Sequence, residues 1–141
     1  MKDKLINYLK NEIYFRVHPS NIHGVGLFAI KDIPKGTDIL VEFEDNGVFF
    51  SIEKDKLLNI HPNIRKLWKS YWKNDSKIQY IYLPSNYKYI HLYFMNHSDN
   101  PNGYFFTKKD GTEGFITTRD IKDGEEILED YNLLNNIGPL K

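Results

Sequence analysis

The chain has 141 residues, enough for one domain that buries about two thirds of its unfolded surface without metals or crosslinks. It contains no cysteine, which excludes disulfides, thiolate zinc sites and a cysteine nucleophile. Lysine and arginine total 19, as do aspartate and glutamate, so nothing suggests the basic surface that binds nucleic acid, and we expect no such partner.

The N-terminal stretch MKDKLINYLKNE is too charged to contain the apolar core of a signal peptide. No stretch reaches the roughly 20 apolar residues of a membrane span. We therefore expect an intracellular, soluble protein that is not secreted and that acts in the cytoplasm, the nucleus or a host cell, with no membrane partner. No repeat or linker divides the sequence, so residues 1–141 are predicted to form a single domain.

Short segments of alternating polarity predict strands. One lies around residues 13–17, and another is TDILVEFE, residues 37–44, with Ile39, Val41 and Phe43 on one face. The same alternation recurs in four later segments: IQYIYL, YKYIHLYF, GYFFTK and GFITTR. The predicted fold class is mainly β.

The stretch HGVGLFAIKDIPKG contains Gly24, Gly26 and Ala29 in the spacing of a dinucleotide-binding turn. Such a turn requires a helix that begins at it. Pro34 and Gly36 interrupt the chain too early for that helix, so we predict that the glycines lie between strands. An ordinary turn that requires a positive φ is the simplest explanation for them.

Residues 53–77 change from strand-like to helical character. Pro62 suits a first helical position, and apolar residues recur at helical spacing after it. These residues are Ile64, Leu67, Trp68, Tyr71 and Trp72. We interpret the segment as an amphipathic helical insert whose aromatic side chains pack against the sheet; the alternative is that one of them also lines a substrate groove.

Two further motifs follow the glycine turn. FMNHSDNPN contains the pair Asn96 and His97 followed by Pro-Asn, and RDIKDGEEILEDY ends at Tyr131. Taken alone, the pair is compatible with a hydrogen-bonded turn, and the tyrosine with a core residue. Together and in this order, the three motifs resemble the SET domain of protein lysine methyltransferases over roughly residues 13–131.

The resemblance implies a small, stand-alone SET domain of the β-clip type, built from several short sheets. It also implies a knot-like threading of the C-terminal segment, which brings residues near 131 beside residues near 96. The implied parts are an N-terminal half (12–52), a helical insert (53–77, with its helical part around 53–75), a C-terminal half (78–131) and a short tail (132–141).

In function, the resemblance implies transfer of a methyl group from S-adenosylmethionine to the side-chain amine of a lysine in a protein, histone or non-histone. Tyr131 matches the family's catalytic tyrosine. The positions that match cofactor-binding residues are His23, Gly24, Val25, Gly26, Asn96 and His97. Two alternatives remain open: a catalytically silent SET-like module that binds a peptide, and methylation of another nucleophile such as histidine or a small amine.

The sequence departs from the family around its C-terminus. Asp99 stands where many members have a cysteine that binds zinc, and no cysteine-rich tail follows, so we expect no metal. That tail usually supplies an aromatic residue that closes the lysine channel. Here Leu133, Leu134, Ile137 or the second subunit of a homodimer would close it; the alternative is that the channel stays open.

Other departures affect the cofactor and product contacts. Tyr93 stands where many members have arginine, and Phe43-Glu44-Asp45 replaces the family's Tyr-x-Gly. Glu129 replaces the aromatic residue that sets how many methyl groups are added, so the resemblance implies no product number.

Acidic residues cluster near one end of the segment 37–44 and before Tyr131, which predicts a substrate lysine in a locally basic sequence. An ordinary solvated face is the alternative. The residues are Glu42, Glu44, Asp45, Asp123, Glu125, Glu126, Glu129 and Asp130.

Overall fold

The structure, a computed structural model, describes residues 2–44, 49–69, 77–83 and 87–135. The helices in these ranges are α1 (Lys2–Asn11), α2 (Pro62–Lys69), α3 (Tyr87–His91) and α4 (Tyr131–Asn135), with 3-10 turns at Lys54–Leu57 and Leu92–Phe94. The strands in the same ranges are β1 (Phe15–Pro19), β2 (Val25–Ala29), β3 (Phe49–Glu53), β4 (Ile78–Tyr82), β5 (Asn96–His97), β6 (Gly103–Thr107), β7 (Glu113–Thr117) and β8 (Glu126–Glu129).

The chain forms two compact units, each made from two separate stretches. The first unit comprises Met1–Ile13 and Val41–Ile90, and the second comprises Tyr14–Leu40 and His91–Lys141. Across the described ranges, the helices are too short or too polar to cross a membrane.

The first unit contains α1 and an antiparallel pair, β3 and β4, and Leu9 of α1 lines a small cavity together with Ile81 of β4. Leu5 and Leu9 lie one turn apart on α1 and are fully buried, and Tyr8 between them donates its hydroxyl to the Val41 carbonyl at 2.8 Å. Alternation in β3 and β4 buries Ile52 and Ile81. These apolar faces form the core of this unit.

The second unit contains a four-stranded sheet in the order β1-β2-β8-β5 and a separate antiparallel pair, β6 and β7. Leu27 of β2 lies opposite Ile127 of β8, and both side chains are fully buried. β5 joins β8 in parallel, with Asn96 opposite Leu128 and His97 opposite Glu129. This parallel pairing brings the segment that precedes residue 131 beside residue 96, as predicted.

Asn102 fixes β8 in this arrangement from a fully buried position. Its Nδ2 donates to the Glu126 carbonyl at 2.8 Å, and its Oδ1 accepts from the Leu128 N–H at 2.9 Å. One side chain therefore satisfies two backbone groups of the strand that precedes the candidate catalytic tyrosine.

The strands predicted in IQYIYL, GYFFTK and GFITTR are confirmed as β4, β6 and β7, and the mainly β class is confirmed with them. The insert begins its helix at Pro62, as predicted, and buries Ile64. Tyr71, Trp72 and the Trp68 side chain lie outside the described part, so the contact of the aromatic face stays a prediction.

The strand predicted over residues 37–44 is wrong. Asp38 forms an isolated bridge with Ile116, and its carboxylate accepts the N–H groups of Leu40 and Phe115 at 3.0 and 3.2 Å. Ile39 and Leu40 are both fully buried, which a strand with alternating faces does not allow for neighbours. Hydrogen bonding by the aspartate side chain favours a turn here over an extended strand.

The strand predicted over YKYIHLYF is also wrong, because this segment forms α3 and a 3-10 turn. Lys88 near the start of α3 is 1% exposed. Its N–H donates to Glu42 Oε1 at 2.8 Å, and its ammonium donates to the Glu12 carbonyl, just after α1 ends. Polar contacts with distant residues therefore stabilise a helix where the local pattern favours a strand.

Asn102→Ala should lower the free energy of unfolding by about 3 kcal/mol, because it leaves a buried N–H and a buried carbonyl of β8 without their partner. Urea denaturation followed by circular dichroism measures the change. Asn100→Ala is the matched control, since Asn100 is exposed two residues earlier and should change stability by less than about 0.5 kcal/mol. Equal effects of the two substitutions would contradict the assigned role.

Candidate functional site

The glycine turn leads into β2, which spans Val25–Ala29, so Gly24 lies between strands, as predicted, whereas Gly26 lies within β2 itself. Gly24 has φ +47°, and a Cβ placed on it would meet nothing within 4 Å. A Cβ on Gly26 would lie 2.1 Å from Glu126 Oε1 and 3.0 Å from Asn96 Nδ2. Gly24 thus permits the turn beside open space, whereas Gly26 permits close packing of polar side chains.

Asn96 links this turn to the end of the chain. Its Nδ2 lies 3.1 Å from the carbonyl oxygens of His23 and Val25 and 3.2 Å from Glu126 Oε1. The side chain is buried, so these bonds are shielded from water. The amide of Asn96 therefore fixes the position of the glycine turn.

His97 supports the beginning of α4. Its Nδ1 accepts the backbone N–H of Tyr131 at 3.0 Å, and its Nε2 lies 3.0 Å from Asp99 Oδ1. Because Nδ1 accepts a hydrogen bond, the neutral ring carries its proton on Nε2. That N–H donates a hydrogen bond to Asp99. Asp130 also lies 3.7 Å from Nδ1. The aspartate at the position of the family's zinc cysteine therefore orients a histidine.

Tyr131 lies against this histidine, with ring centroids 5.2 Å apart. Its hydroxyl donates to the Met95 carbonyl at 2.6 Å. Partial burial and, secondarily, the charge of Glu129 raise the pKa of this hydroxyl above its usual value, so it stays protonated at neutral pH. Because its proton is used by Met95, the hydroxyl oxygen can accept a hydrogen bond from an approaching amine.

Glu129 ends β8 two residues before Tyr131 and is 7% exposed. Among the described residues, its Oε2 is buried without a hydrogen-bond partner. Burial raises the pKa of this carboxyl to about 7, and the opposing effect of His97 is smaller. The site thus contains an acid that changes charge near neutral pH.

All predicted site residues lie in the second unit: His23, Gly24, Val25, Gly26, Asn96, His97 and Tyr131. The contacts described above join the turn to Asn96, and His97 to Tyr131, while the predicted roles of these residues stay predictions. The sequence places Glu126 only in an acidic cluster, and it predicts neither the contact of Glu126 with Asn96 nor that of Tyr131 with the Met95 carbonyl. Alternation along EILE places Glu129 on the face of buried Ile127, a signal that predicts its burial.

Closure of the lysine channel by residues near the C-terminus stays a prediction. Leu133 is 47% exposed, whereas Ile137 and the Leu134 side chain lie outside the described part. Closure by a second subunit stays a prediction. Within the described ranges, no group of three or more histidine and acidic side chains is placed to hold a metal.

Several acidic residues of the 123–130 segment have partners within the second unit. Glu125 accepts from Arg119 at 3.0 Å and from the Lys122 N–H at 2.9 Å, and Glu126 accepts from Asn96. Glu129 is buried. The predicted acidic surface for a basic substrate therefore has fewer outward-facing carboxylates than the sequence suggests.

The turn has polar groups that fit the amino-acid end of S-adenosylmethionine. The carbonyls of His23 and Val25 each keep a second lone pair, and the hydrogen bonds of the Asn96 side chain in the described part all use Nδ2, which leaves Oδ1 as an acceptor. These acceptors suit an ammonium group, and the open space at Gly24 admits it.

Comparison with known proteins identifies one family. The family model described as SET domain matches residues 24–132. No curated protein matches the chain in sequence.

The solved structures that resemble the chain include the following two. One is the crystal structure of a Plasmodium falciparum protein described as a candidate histone methyltransferase, with 18% identity, a TM-score of 0.41, and coverage of 85% of this chain and 94% of that one. The other is a humanized mutant of the Chaetomium thermophilum Polycomb Repressive Complex 2 bound to an inhibitor, with 19% identity, a TM-score of 0.46, and coverage of 85% and 15%.

Glu129→Gln should raise stability at alkaline pH by roughly 3 kcal/mol, because it removes a buried charge whose pKa is raised from 4.5 to about 7. The folded state binds the proton more tightly than the unfolded state. Wild-type stability should therefore fall relative to the variant between about pH 4.5 and pH 7 and stay lower above it. Denaturation at several pH values measures this; a constant difference across pH contradicts the raised pKa.

Proposed function

We propose that the chain, which belongs to the SET-domain family, transfers a methyl group from S-adenosylmethionine to a lysine side chain of a protein. Family membership supports protein methyltransferase activity. The proposal adds S-adenosylmethionine as the methyl donor and a lysine side chain as the acceptor.

One observation carries the proposal: three consecutive residues support both halves of the site. Asn96 binds the glycine turn, where the cofactor positions lie. Met95 and His97 bind the hydroxyl and the N–H of Tyr131. A cofactor at the turn and an amine at the tyrosine would then be positioned by the same short segment, as alignment of two reactants requires.

The turn residues would bind the cofactor. Backbone acceptors of His23 and Val25 and Oδ1 of Asn96 would hold its amino-acid end, and Gly24 would leave room for it. When bound, S-adenosylmethionine supplies a methyl group on a positively charged sulfur that an amine can attack in line.

Tyr131 would orient the attacking amine. Its hydroxyl donates a hydrogen bond to the Met95 carbonyl, so the oxygen would accept one N–H of a neutral lysine amine. The nitrogen lone pair would then point away from the tyrosine, towards the methyl group. The amine must first lose a proton from a group whose ordinary pKa is about 10.4. Little further acid–base chemistry is required, because the transfer is a displacement between aligned partners.

The proposal also covers the substrate segment, the cellular location and the oligomeric state. We propose a lysine in a locally basic protein segment, recognised in part by the carboxylates that precede Tyr131, and an intracellular location. A homodimer that closes the lysine channel is part of the same proposal. The proposed substrates are proteins, histone or non-histone.

S-adenosylmethionine and S-adenosylhomocysteine should each stabilise the protein by about 2.7 kcal/mol at 100 times Kd, measured as a rise in melting temperature. Asn96→Ala should weaken binding about tenfold or more in calorimetry, because the turn loses its anchor. Asn100→Ala, an exposed control, should bind as wild type does. If neither compound shifts melting but NAD does, the cofactor is wrongly assigned.

Tyr131→Phe should slow single-turnover methyl transfer about 10²–10³-fold while cofactor affinity changes only a few-fold, because one orienting group is lost and the ring is kept. Tyr104→Phe is the matched control, since Tyr104 is 48% exposed on β6 and Tyr131 is 44% exposed. Wild-type rates in Tyr131→Phe would make the tyrosine structural. Cofactor and peptide binding without any transfer by the wild type would favour the silent binding module.

A further inference from the structure

Glu129 presents a buried carboxylate that no described contact explains. It is 93% buried by area, and its Oε2 has no hydrogen-bond partner among the described residues. Such a group costs stability unless a donor or a cation reaches it. Its place, on the strand that leads directly into α4, puts it next to Tyr131.

The elements packed against β8 supply no countercharge that remains available. β2 contains no titratable residue, β5 contributes only His97, and β6 contributes only Tyr104, which is 48% exposed. The ring of His97 already binds Asp99 and the Tyr131 N–H, and its effect on the Glu129 carboxyl is smaller than that of burial. The described strands packed against β8 therefore supply no available cation for Glu129. An ammonium group of the substrate is suited to that role.

Glu129 lies opposite His97 in the β5–β8 pair, and the ring of His97 packs against Tyr131, so the carboxylate and the tyrosine flank the same histidine. The charge of Glu129 raises the pKa of the Tyr131 hydroxyl, so the two groups interact electrostatically. The hydroxyl oxygen has acceptor capacity because its proton is donated to Met95. An ammonium group between them would meet two acceptors, one of them negatively charged.

We propose that Glu129 takes the proton from the substrate lysine before methyl transfer, a role that rests on the proposed function. An N–H bond of the ammonium breaks, its electron pair stays on nitrogen, and an O–H bond forms on the Glu129 carboxylate. The amine becomes neutral and nucleophilic, and Glu129 becomes a neutral carboxylic acid. The proton leaves to solvent when the product dissociates and the carboxylate is regenerated.

The raised pKa makes this transfer feasible. An ordinary glutamate, at 4.5, is about six units more acidic than a lysine ammonium at about 10.4, whereas Glu129 at about 7 is only about three units more acidic. Burial of the ammonium narrows the gap further, because it disfavours the charged amine as it disfavours the charged carboxylate. A general base with a pKa near the working pH is also the most effective.

Single-turnover transfer of tritiated methyl groups to core histones and to polylysine, between about pH 6 and pH 10, tests the assignment. In the wild type, the rate should rise through about pH 7 and then level off. Glu129→Gln should be about 10²-fold slower near neutral pH and should rise steadily towards the wild-type rate at high pH, where solvent deprotonates the amine. Glu129→Asp should keep the wild-type shape at a lower rate.

Two controls separate the possible outcomes. Glu113→Gln, an exposed change on β7, should leave the rate and its pH dependence unchanged, and S-adenosylhomocysteine should bind all variants equally in calorimetry. If the wild type transfers methyl groups and Glu129→Gln has the same pH profile, or loses rate equally at every pH, the inference is wrong. If the wild type transfers none to either substrate at any pH, the proposed function fails and the inference with it.

Discussion

The parallel pairing of β5 with β8 is the constraint on which the candidate site depends. Only two residue pairs form it, Asn96 with Leu128 and His97 with Glu129. Asn102 strengthens it from the interior by binding two backbone groups of β8. Because the pairing fixes which side chains flank the strand, a one-residue shift would turn Glu129 and its neighbours to opposite faces.

The pattern of residue types along the sequence predicted the elements that are stabilised mainly by residues near each other in the chain. β6 and β7 are rich in aromatic and β-branched residues that favour strands, although their burial does not alternate strictly. Pro34 with Gly36 rules out a helix after the glycine turn. The two wrong strands depend instead on distant partners. The Asp38 carboxylate binds the Phe115 N–H, 77 residues away, and the Lys88 ammonium binds a carbonyl at Glu12, 76 residues away. A period of two in apolar residues contains no information about such polar contacts.

The site shows the same division between residue type and contact. Motifs identified Asn96, His97 and Tyr131 as candidates, because their order and spacing resemble a known family. The contacts themselves were not predictable: the Asn96 amide binds the glycine turn, and a backbone carbonyl at Met95 binds the tyrosine hydroxyl. Backbone acceptors have no sequence signature, so only the folded chain reveals them.

Glu129 links stability, protonation and substrate charge through one carboxyl. Its burial disfavours the negative form, so the folded chain is more stable with this group protonated. The same burial disfavours the positive form of a lysine amine that comes close to it, because neither charge is well solvated where water is excluded. Proton transfer removes both charges at once, which relieves the desolvation of each group. A carboxylate that weakens the fold when unpaired is therefore suited to take a proton from a buried amine.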